Sequence, residues 1–395
     1  MPKSGNLMGD GSSREVFAYV GNWRIDGTGL GITICRYDST SGALEPRRTV
    51  APGISVGATH VDAERGILYC ADERSDNPDL GPGGGGRVFA FRIDPVTGEL
   101  TEMGRQSAYA SLTSYVTTDA AREYLLATNH ARFTRITTAV RDAEGTYRVV
   151  PLADPATTVL YRLEADGSIG EVRDIHTHVG EGPAPRFHTP AAHCVVPSPD
   201  GRSFAVCDKG TDEVLMFQID RRRDALVLTG RSRESDNTSP RYVQFHPTAP
   251  YLYVNHENAP FVTVFRYDRD GGLERVAEVD ALPADDTFAR DIAEQADLLI
   301  NASGNRLYGL IRRTNAVSVF DVDAATGALR RIQTLQLDGD NPRGGAISPD
   351  GRFLLVAQIG TEDVATLAID DVGRLRDTGM RSTFTRPGNI AFFTA

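Results

Sequence analysis

The sequence predicts an all-β protein, a seven-bladed β-propeller of four-stranded antiparallel blades. The first observation is a short turn in which Gly or Asp is followed by any residue and then by Leu or Ile. It recurs seven times, starting at Gly42, Gly98, Gly167, Asp224, Gly271, Gly327 and Gly373. Successive copies lie about 46 to 69 residues apart, a period typical of propeller and solenoid arrays. Seven copies therefore predict seven repeats.

Two further patterns define the strands of each repeat. An alternating apolar stretch precedes the turn, as at 317–322, and a period of two is typical of a β-strand. Upstream, Ser-Pro-Asp-Gly-Arg at 198–202 and 348–352 predicts a tight turn, because Pro presets φ and Gly accepts positive φ. An innermost strand begins after a proline, as at Pro240 and Pro342. Each repeat is thus predicted to form one four-stranded blade.

The two ends of the chain predict one shared blade. The inner-strand pattern returns at 387–393 with no blade after it. Residues 16–20 are typical of a second strand, and they lack an inner strand of their own. We expect the C-terminal strand to complete the N-terminal blade and close the ring, which removes an exposed sheet edge.

The expected organisation is one propeller domain, residues 14–395, after a disordered segment, residues 1–13. That first segment is polar and rich in Gly and Ser, and it lacks the apolar stretch of a signal peptide. An insertion around 131–158 shows little strand pattern, and insertions in repeat proteins often lie on the binding face. Residues 76–86 are expected to form a flexible connection, since their glycine run lacks the Gly-Lys-Ser/Thr of a phosphate-binding loop.

Composition argues against several classes of function. The net charge is −11, and the 42 basic residues form no run, which argues against nucleic-acid binding. No apolar stretch approaches the ~20 residues that span a bilayer, and we expect a cytoplasmic protein. Lysine occurs only at Lys3 and Lys209, which we attribute to compositional bias. The four cysteines lack metal or redox spacing, and free thiols are favoured over a bond between Cys194 and Cys207.

The repeat unit resembles a known family. Pro-Arg at 240, His-Pro at 246 and Leu-Tyr-Val at 252–254 form one part of the pattern, and Asp-x-x-Thr-Gly-x-Leu at 323–329 closes a blade. These motifs are similar to those of the lactonase family of seven-bladed propellers, from about Val16 to Phe393. The resemblance implies a cofactor-independent enzyme that acts on an anionic lactone.

The resemblance also implies the site residues. His193 corresponds to the active-site His of the family, Arg241 to its first catalytic Arg, Glu257 to its acidic residue and Arg312 to its second Arg. These four are the candidate catalytic residues, and we expect them to converge at the channel mouth from three consecutive blades. Six further positions are candidates for substrate binding: Glu73, His130, His256, Asp297, Arg343 and Gln358.

These residue types suit lactone chemistry independently of the family. Guanidinium groups are planar, bidentate donors for the carboxylate or phosphate of a sugar acid or dicarboxylate. Opening or closing a lactone develops negative charge on oxygen, which donors from Arg and His stabilise. His193 and Glu257 are the candidates to move the proton.

Two alternatives remain open. One is a muconate-type lactonising cyclase or isomerase, in which a substrate carboxylate adds to a double bond. The other is a non-catalytic propeller that binds a partner, since this architecture supports many roles. The enzyme hypotheses predict a small anionic substrate, with no nucleic acid and no membrane as partner. His176, His178 and His188 suggest a metal site, but their Pro/Gly-rich setting does not favour it, and no metal or cofactor is assigned.

Overall fold

The structure is a computed structural model that describes residues 15–24, 28–77, 81–132, 135–182 and 189–395. The predicted disordered segment, residues 1–13, lies outside these ranges. The described residues form seven four-stranded sheets and two two-stranded hairpins. The all-β prediction and the four-stranded antiparallel blades are confirmed.

Each four-stranded sheet is one blade. Its strands are consecutive in the chain, except that hairpins are inserted in blades 2 and 3 and that the C-terminal strand joins blade 1. Blade 1 contains β1 (Val16–Asn22), β2 (Ile32–Tyr37) and β3 (Leu44–Val50). Blade 2 contains β4 (Val56–Asp62) and β5 (Ile67–Asp72), then a hairpin of β6 (Asp76–Asn77) and β7 (Gly81–Gly84), then β8 (Arg87–Ile93) and β9 (Leu100–Ser107). Blade 3 contains β10 (Thr113–Thr118) and β11 (Tyr124–Asn129), then a hairpin of β12 (Arg135–Arg141) and β13 (Tyr147–Ala153), then β14 (Thr157–Leu163) and β15 (Ile169–Thr177).

The remaining blades contain no inserted hairpin in the described ranges. Blade 4 contains β16 (Ala192–Pro197), β17 (Ser203–Asp208), β18 (Glu213–Asp220) and β19 (Ala225–Arg233). Blade 5 contains β20 (Pro240–Phe245), β21 (Tyr251–His256), β22 (Ala259–Tyr267) and β23 (Leu273–Asp280). Helix α1 (Thr287–Ile292) leads to blade 6, with β24 (Glu294–Ile300), β25 (Arg306–Arg312), β26 (Ala316–Val322) and β27 (Leu329–Gln336). Blade 7 contains β28 (Pro342–Ile347), β29 (Phe353–Gln358), β30 (Asp363–Ile369) and β31 (Leu375–Thr383).

The C-terminal strand β32 (Pro387–Thr394) belongs to blade 1. It pairs with β1 in antiparallel fashion, from Val16↔Thr394 to Asn22↔Pro387, so that the strand order of the blade is β3-β2-β1-β32. The inner strands β32, β4, β10, β16, β20, β24 and β28 contact one another in that cyclic order, and β28 contacts β32. The blades therefore follow one another around a central axis by packing, while each sheet itself stays open.

The two hairpins correct the expectation that residues 76–86 and 131–158 lack regular structure. Strand β12 pairs with β13 over its whole length, from Arg135↔Ala153 to Arg141↔Tyr147. Strand β6 pairs with β7 at Asp76↔Gly84 and Asn77↔Gly81, and residues 78–80 lie outside the described ranges. Both hairpins connect the second and third strands of a blade, so they emerge at the same end of the strands.

Tyrosines on the second strand join neighbouring blades. Tyr19 donates a hydrogen bond to the Gly98 carbonyl at 3.0 Å, and Tyr69 donates to Gly167 at 2.7 Å. Tyr308 donates to Gly373 at 3.1 Å. Each acceptor is the first residue of the repeated turn in the next blade, so the turn motif also fixes the spacing between blades. All three tyrosines are buried, where an unpaired hydroxyl would be costly.

Helical structure is minor. Helix α1 begins after Asp286, whose side chain accepts a hydrogen bond from the backbone N–H of Ala289 at 3.0 Å. It has six residues. Across the ranges that the structure covers, no helix is both long enough and apolar enough to cross a membrane.

Removing residues 387–395 tests the role of β32. We expect a chain that ends at Arg386 to melt at a clearly lower temperature, because β1 loses its inner partner and gains an exposed edge. Thermal unfolding followed by circular dichroism measures the change. A synthetic peptide of residues 387–395, added in trans, is the control and should restore part of the loss. An unchanged melting temperature would contradict this role.

Candidate active site

Three candidate residues on the inner strands occupy equivalent places in a repeated β-bulge. In blade 5, Pro240 pairs with His256 and Tyr242 with Asn255, so Arg241 is the extra residue between them. His193 of blade 4 and Arg343 of blade 7 are the extra residues of the same bulge. A bulge redirects a side chain and is common beside active sites. Here it directs the side chains of His193, Arg241 and Arg343 toward the axis in blades 4, 5 and 7.

A second set of equivalent positions follows the second strand of each blade. In blades 1 to 5 the backbone N–H of this residue donates to the carbonyl just before the inner strand, as Glu257 does to Ser239 at 2.8 Å. The set in these blades is Trp23, Glu73, His130, Lys209 and Glu257. Arg312 takes this place in blade 6, since Ile311 pairs with Gln295 as His256 pairs with Pro240. The repeat therefore brings side chains from six blades to one end of the channel.

Two glycines make room for the larger members of this set. A Cβ on Gly388 would lie 2.7 Å from Cβ of Trp23, and a Cβ on Gly57 would lie 2.9 Å from Cβ of Glu73. Both glycines occupy the bulge position of their inner strands. A side chain there would displace Trp23 or Glu73 from the channel.

Glu257 Oε2 is the centre of the charged cluster. It accepts hydrogen bonds from Lys209 Nζ at 2.9 Å and from Arg241 Nε at 3.1 Å. Arg312 Nη2 lies 3.6 Å from the same oxygen. Burial raises the pKa of Glu257, but Lys209, Arg312 and Arg241 outweigh it and hold the pKa well below its usual range. Glu257 is therefore a firmly ionised counter-ion, which makes it a poor proton carrier.

Arg241 is fixed by three contacts. Besides Glu257, its Nη1 donates to the carbonyl of Ala296 at 2.6 Å, and its guanidinium lies 4.9 Å from the ring centre of Tyr242. Only 1% of the residue is exposed. Arg241 therefore joins blade 5, to which it belongs, to blade 6, which contains Ala296.

A second carboxylate, Glu73, holds the opposite side of the cluster. It accepts from Trp23 Nε1 at 2.6 Å and from Arg343 Nη2 at 3.0 Å, and His130 Nε2 lies 3.2 Å away. Arg343 also stacks on Trp23, 3.8 Å from the ring centre. Burial raises the pKa of Glu73, but Arg343 and His130 lower it, and the result is about 2.

His193 lies between these two carboxylate groups. Its ring stacks on His130 with centres 5.8 Å apart and contacts Tyr242 at 5.3 Å. Burial, together with Arg241 and Lys209, holds the pKa of His193 well below its usual value, so the ring is neutral. Its Nδ1 is buried and has no hydrogen-bond partner among the described residues.

Asp297 completes the cluster from blade 6. Its Oδ2 accepts the backbone N–H of Gly345 in blade 7 at 2.9 Å, and its Oδ1 accepts that of Leu298 at 2.8 Å. Burial raises the pKa of Asp297 to about 6, with these N–H groups and the charges of Arg241 and Arg343 opposing the shift.

Positive charge exceeds negative charge in this cluster. Among the described residues, Glu73, Glu257 and Asp297 face four cations, which are Lys209, Arg241, Arg312 and Arg343. Glu294 also lies 3.6 Å from Arg312, but the exposed Arg313 balances its charge at 2.7 Å. Arg312 is the least satisfied of the four cations, because its Nε and Nη2 are buried without a hydrogen bond in the part of the chain described. Buried polar groups are normally hydrogen-bonded. The excess charge and the unsatisfied donors favour an anionic ligand.

Two predicted binding residues are not brought to the cluster. The ring of His256 contacts Thr263 Oγ1 at 2.8 Å and lies 3.6 Å from Glu234, within its own blade. The side-chain amide of Gln358 donates to Asp363 at 2.7 Å. Both residues occupy the paired position just before the one that faces the channel.

The predicted histidine cluster also lies elsewhere. The rings of His176 and His178 are in contact, with centres 5.1 Å apart, and His178 lies 3.1 Å from Asp208 and 2.9 Å from Thr158. His188 lies outside the described residues. Within those that are described, no group of three metal-ligating side chains converges.

Sequence reasoning missed three residues of the cluster, Trp23, Lys209 and Tyr242. Lys209 follows the second strand of blade 4 as Glu73 and Glu257 do in blades 2 and 5, so the repeat alignment could have identified it. Its rarity was a second signal, since the chain has only two lysines among 42 basic residues.

The cluster is nearly closed to solvent. His193 is 2% exposed, and Trp23 covers Arg343. A cavity of about 400 Å³ lies between blades 6 and 7, but it is lined by Asn301, Ser348 and Asp370 at the opposite end of the strands.

An all-β propeller with a cluster of buried charged side chains at one end of its channel is the class that this fold and site define. The chain belongs to the family described as Lactonase, 7-bladed beta-propeller, whose model matches residues 17–392. The family predicted from the sequence motifs is confirmed.

Two named relatives and one solved structure are similar to this chain. The chain is 25% identical to the 6-phosphogluconolactonase of Bacillus subtilis over 378 residues, which is 94% of this chain and 96% of that protein. It is 27% identical to the 6-phosphogluconolactonase of Klebsiella pneumoniae over 300 residues, 74% and 78% of the two chains. The periplasmic gluconolactonase of Pseudomonas aeruginosa shares the fold, with a TM-score of 0.81, 24% identity and coverage of 96% and 99%. None of these three is named a cyclase.

Replacing Glu257 by Gln tests the role of the central carboxylate. We expect a loss of about 3–5 kcal/mol in the free energy of unfolding, because three buried cations lose their shared counter-charge. Denaturant unfolding measures it. Glu274→Gln is the control, since Glu274 pairs with Arg266 at 3.9 Å and both side chains are exposed, and it should cost less than about 1 kcal/mol. Equal costs for the two variants would refute the central role of Glu257.

The raised pKa of Asp297 predicts a pH-dependent stability. Because its pKa in the folded state, about 6, exceeds the usual 3.8, protonated Asp297 favours folding, and this contribution is lost as the pH rises through about 6. The melting temperature of Asp297→Asn minus that of the wild type should therefore increase between pH 4 and pH 7. Asp285→Asn at an exposed position controls for the lost charge. A difference that stays constant with pH would contradict the raised pKa.

Proposed function

We propose that this protein is a lactonase that hydrolyses an anionic sugar-acid lactone, using its own side chains without a cofactor. One observation carries the proposal. The donors of Arg312 and the neutral Nδ1 of His193 are buried and unsatisfied among the described residues, in a cluster with excess positive charge. The names of the Bacillus subtilis and Klebsiella pneumoniae relatives support the same chemistry.

Arginines bind the substrate and stabilise the transition state in this proposal. Arg241 and Arg343 are held by Glu257 and Glu73, and they supply a fixed positive field for the anionic group of the substrate. Arg312 donates to the lactone carbonyl oxygen, which becomes negative when water adds to the carbonyl carbon. A preorganised donor of this kind is typically worth about 10²–10³ in rate.

His193 activates the water. Its ring is neutral, so Nδ1 can accept a proton from the attacking water. Arg241 and Lys209 lower the pKa of His193 in the free protein. An anionic substrate offsets those charges, so its binding raises the pKa of His193 and makes the ring a stronger base.

Glu257 is assigned a positioning role. Its low pKa and its contacts with three cations make it the anchor of the cluster. This assignment replaces the proton-carrying role that the sequence suggested for Glu257, while His193 keeps its role.

A panel of lactones tests the proposal. We expect the wild type to accelerate hydrolysis of a phosphorylated or carboxylated sugar lactone above the uncatalysed rate, measured by proton release. Arg312→Met and His193→Gln should each lower kcat/KM by about 10²–10³. Arg330→Met at an exposed site is the control and should keep full activity.

Three outcomes distinguish the alternatives. Turnover of anionic lactones with loss in both site variants supports hydrolysis at this site. Turnover of muconate-type substrates alone would favour the cyclase. No turnover of any member of the panel would favour a non-catalytic binding role.

A further inference from the structure

Lys209 is the one cation of the cluster, among the described residues, that the hydrolysis mechanism above leaves without a chemical role. It lies at the end of β17, in the blade between those that carry His130 and Glu257, and it is 4% exposed. Its Nζ donates to Glu257 Oε2 at 2.9 Å. The ammonium of Lys209 therefore lies against the carboxylate oxygen that also holds Arg241 and Arg312.

We propose that Lys209 is a further catalytic residue, whose ammonium donates the proton that the ring oxygen needs as it leaves the lactone carbonyl carbon. This inference rests on the proposed function. Lactone hydrolysis requires both a group that takes a proton from water and a group that gives one to the leaving alkoxide. His193 serves the first need, and Lys209 serves the second.

The surroundings of Lys209 suit proton donation. Burial lowers the pKa of Lys209 to about 8, Glu257 opposes the shift, and Arg241 and Arg312 add to it. Blade 3 supplies His130 and blade 4 itself supplies His193, and the charge of Lys209 lowers the pKa of both. An acid works best when its pKa is near the working pH. The three arginines of the cluster keep their protons at neutral pH, so they cannot serve.

The choice of residue type supports the same role. Apart from Lys3, every other basic residue of the chain is arginine. An arginine at position 209 would provide the same charge to Glu257, and Arg241 and Arg312 already do so. Unlike arginine, a buried lysine can release a proton near neutral pH.

The step balances in atoms and charge. His193 Nδ1 takes a proton from water, the hydroxyl oxygen bonds to the carbonyl carbon, and the π electron pair moves to the oxygen held by Arg312. When that pair re-forms the carbonyl, the bond from carbon to the ring oxygen breaks. The ring oxygen keeps its bonding pair and takes a proton from Lys209. The product acid ionises, and the proton on His193 returns through solvent to Lys209, so one proton is released per turnover.

Substituting Lys209 by Arg separates proton donation from simple charge. The variant keeps the positive charge beside Glu257 but cannot release a proton near neutral pH. Its kcat should be compared on an anionic lactone and on the thiolactone with the same acyl part. A thiolate leaves readily without a proton, since a thiol has a pKa of about 8.5, whereas an alkoxide is far more basic.

We expect Lys209→Arg to lower kcat on the lactone by about 10²-fold or more and on the thiolactone by less than about 10-fold. The wild-type rate on the lactone should also fall as the pH rises above about 8, because the donor loses its proton. The rate of the Lys209→Arg variant on the lactone should not show this decrease with rising pH. Arg313→Lys at the exposed rim is the control and should change neither rate.

Each other outcome overturns the inference. Equal losses on both substrates would make Lys209 a positioning residue, and full lactone activity in Lys209→Arg would make it a mere counter-charge. A second variant, Lys209→Met, covers the case in which the bulkier Arg distorts the site. Its melting temperature should equal that of the wild type. Its loss of kcat should also be larger on the lactone than on the thiolactone. If the wild type turns over neither substrate, the proposed function fails and this inference fails with it. If only the variants behave unexpectedly, the inference alone fails.

Discussion

Three cations share one carboxylate oxygen, and the rest of the site depends on that contact. Glu257 Oε2 holds Lys209 and Arg241 by hydrogen bonds and Arg312 at 3.6 Å. Without this oxygen the three charges would repel one another in a buried setting, where desolvation is already costly. With it, they stay close together and the cluster still carries excess positive charge. A buried ion cluster adds little stability relative to apolar packing, although loss of one partner is costly, and this accords with the proposed role of the cluster in binding an anionic substrate.

The propeller provides this contact through repetition. The bulge at the start of the inner strand and the residue after the second strand recur in successive blades, so each blade contributes side chains at the same height. Tyrosine bonds to the turn of the next blade, such as Tyr69 to Gly167, fix the spacing between these contributions. The chain therefore needs no special long-range arrangement to gather charges from six blades. Changing one residue at an equivalent position changes the site without changing the fold.

Local turn chemistry explains why the architecture could be predicted. The Gly-x-Leu and Pro-Asp-Gly turns are encoded by short segments, and the position of His193, Arg241, Glu257 and Arg312 in the repeat was enough to bring them together. The direction of His256 was also open to prediction, since successive strand residues point to opposite faces. If Glu257 faces the channel, its neighbour cannot. The contact of Glu73 with Arg343, 270 residues apart, could not be inferred, because no local pattern shows which side chains pair across the channel.

The lengths of the connections divide the site into two halves. Lys209, Glu257 and Arg312 lie where the second strand joins the third by two to four residues, as β21 joins β22 at 257–258. Such short links fix the backbone, which the placement of donors and acids requires. Glu73 and His130 instead begin long connections that carry the hairpins β6–β7 and β12–β13, and these meet where Arg132 contacts Asp76. Variable loops on a rigid scaffold usually set selectivity. Under the proposed function, the groups that bind and protonate the substrate thus lie on the rigid half, and we expect sequence changes in the inserted half to alter which lactone fits.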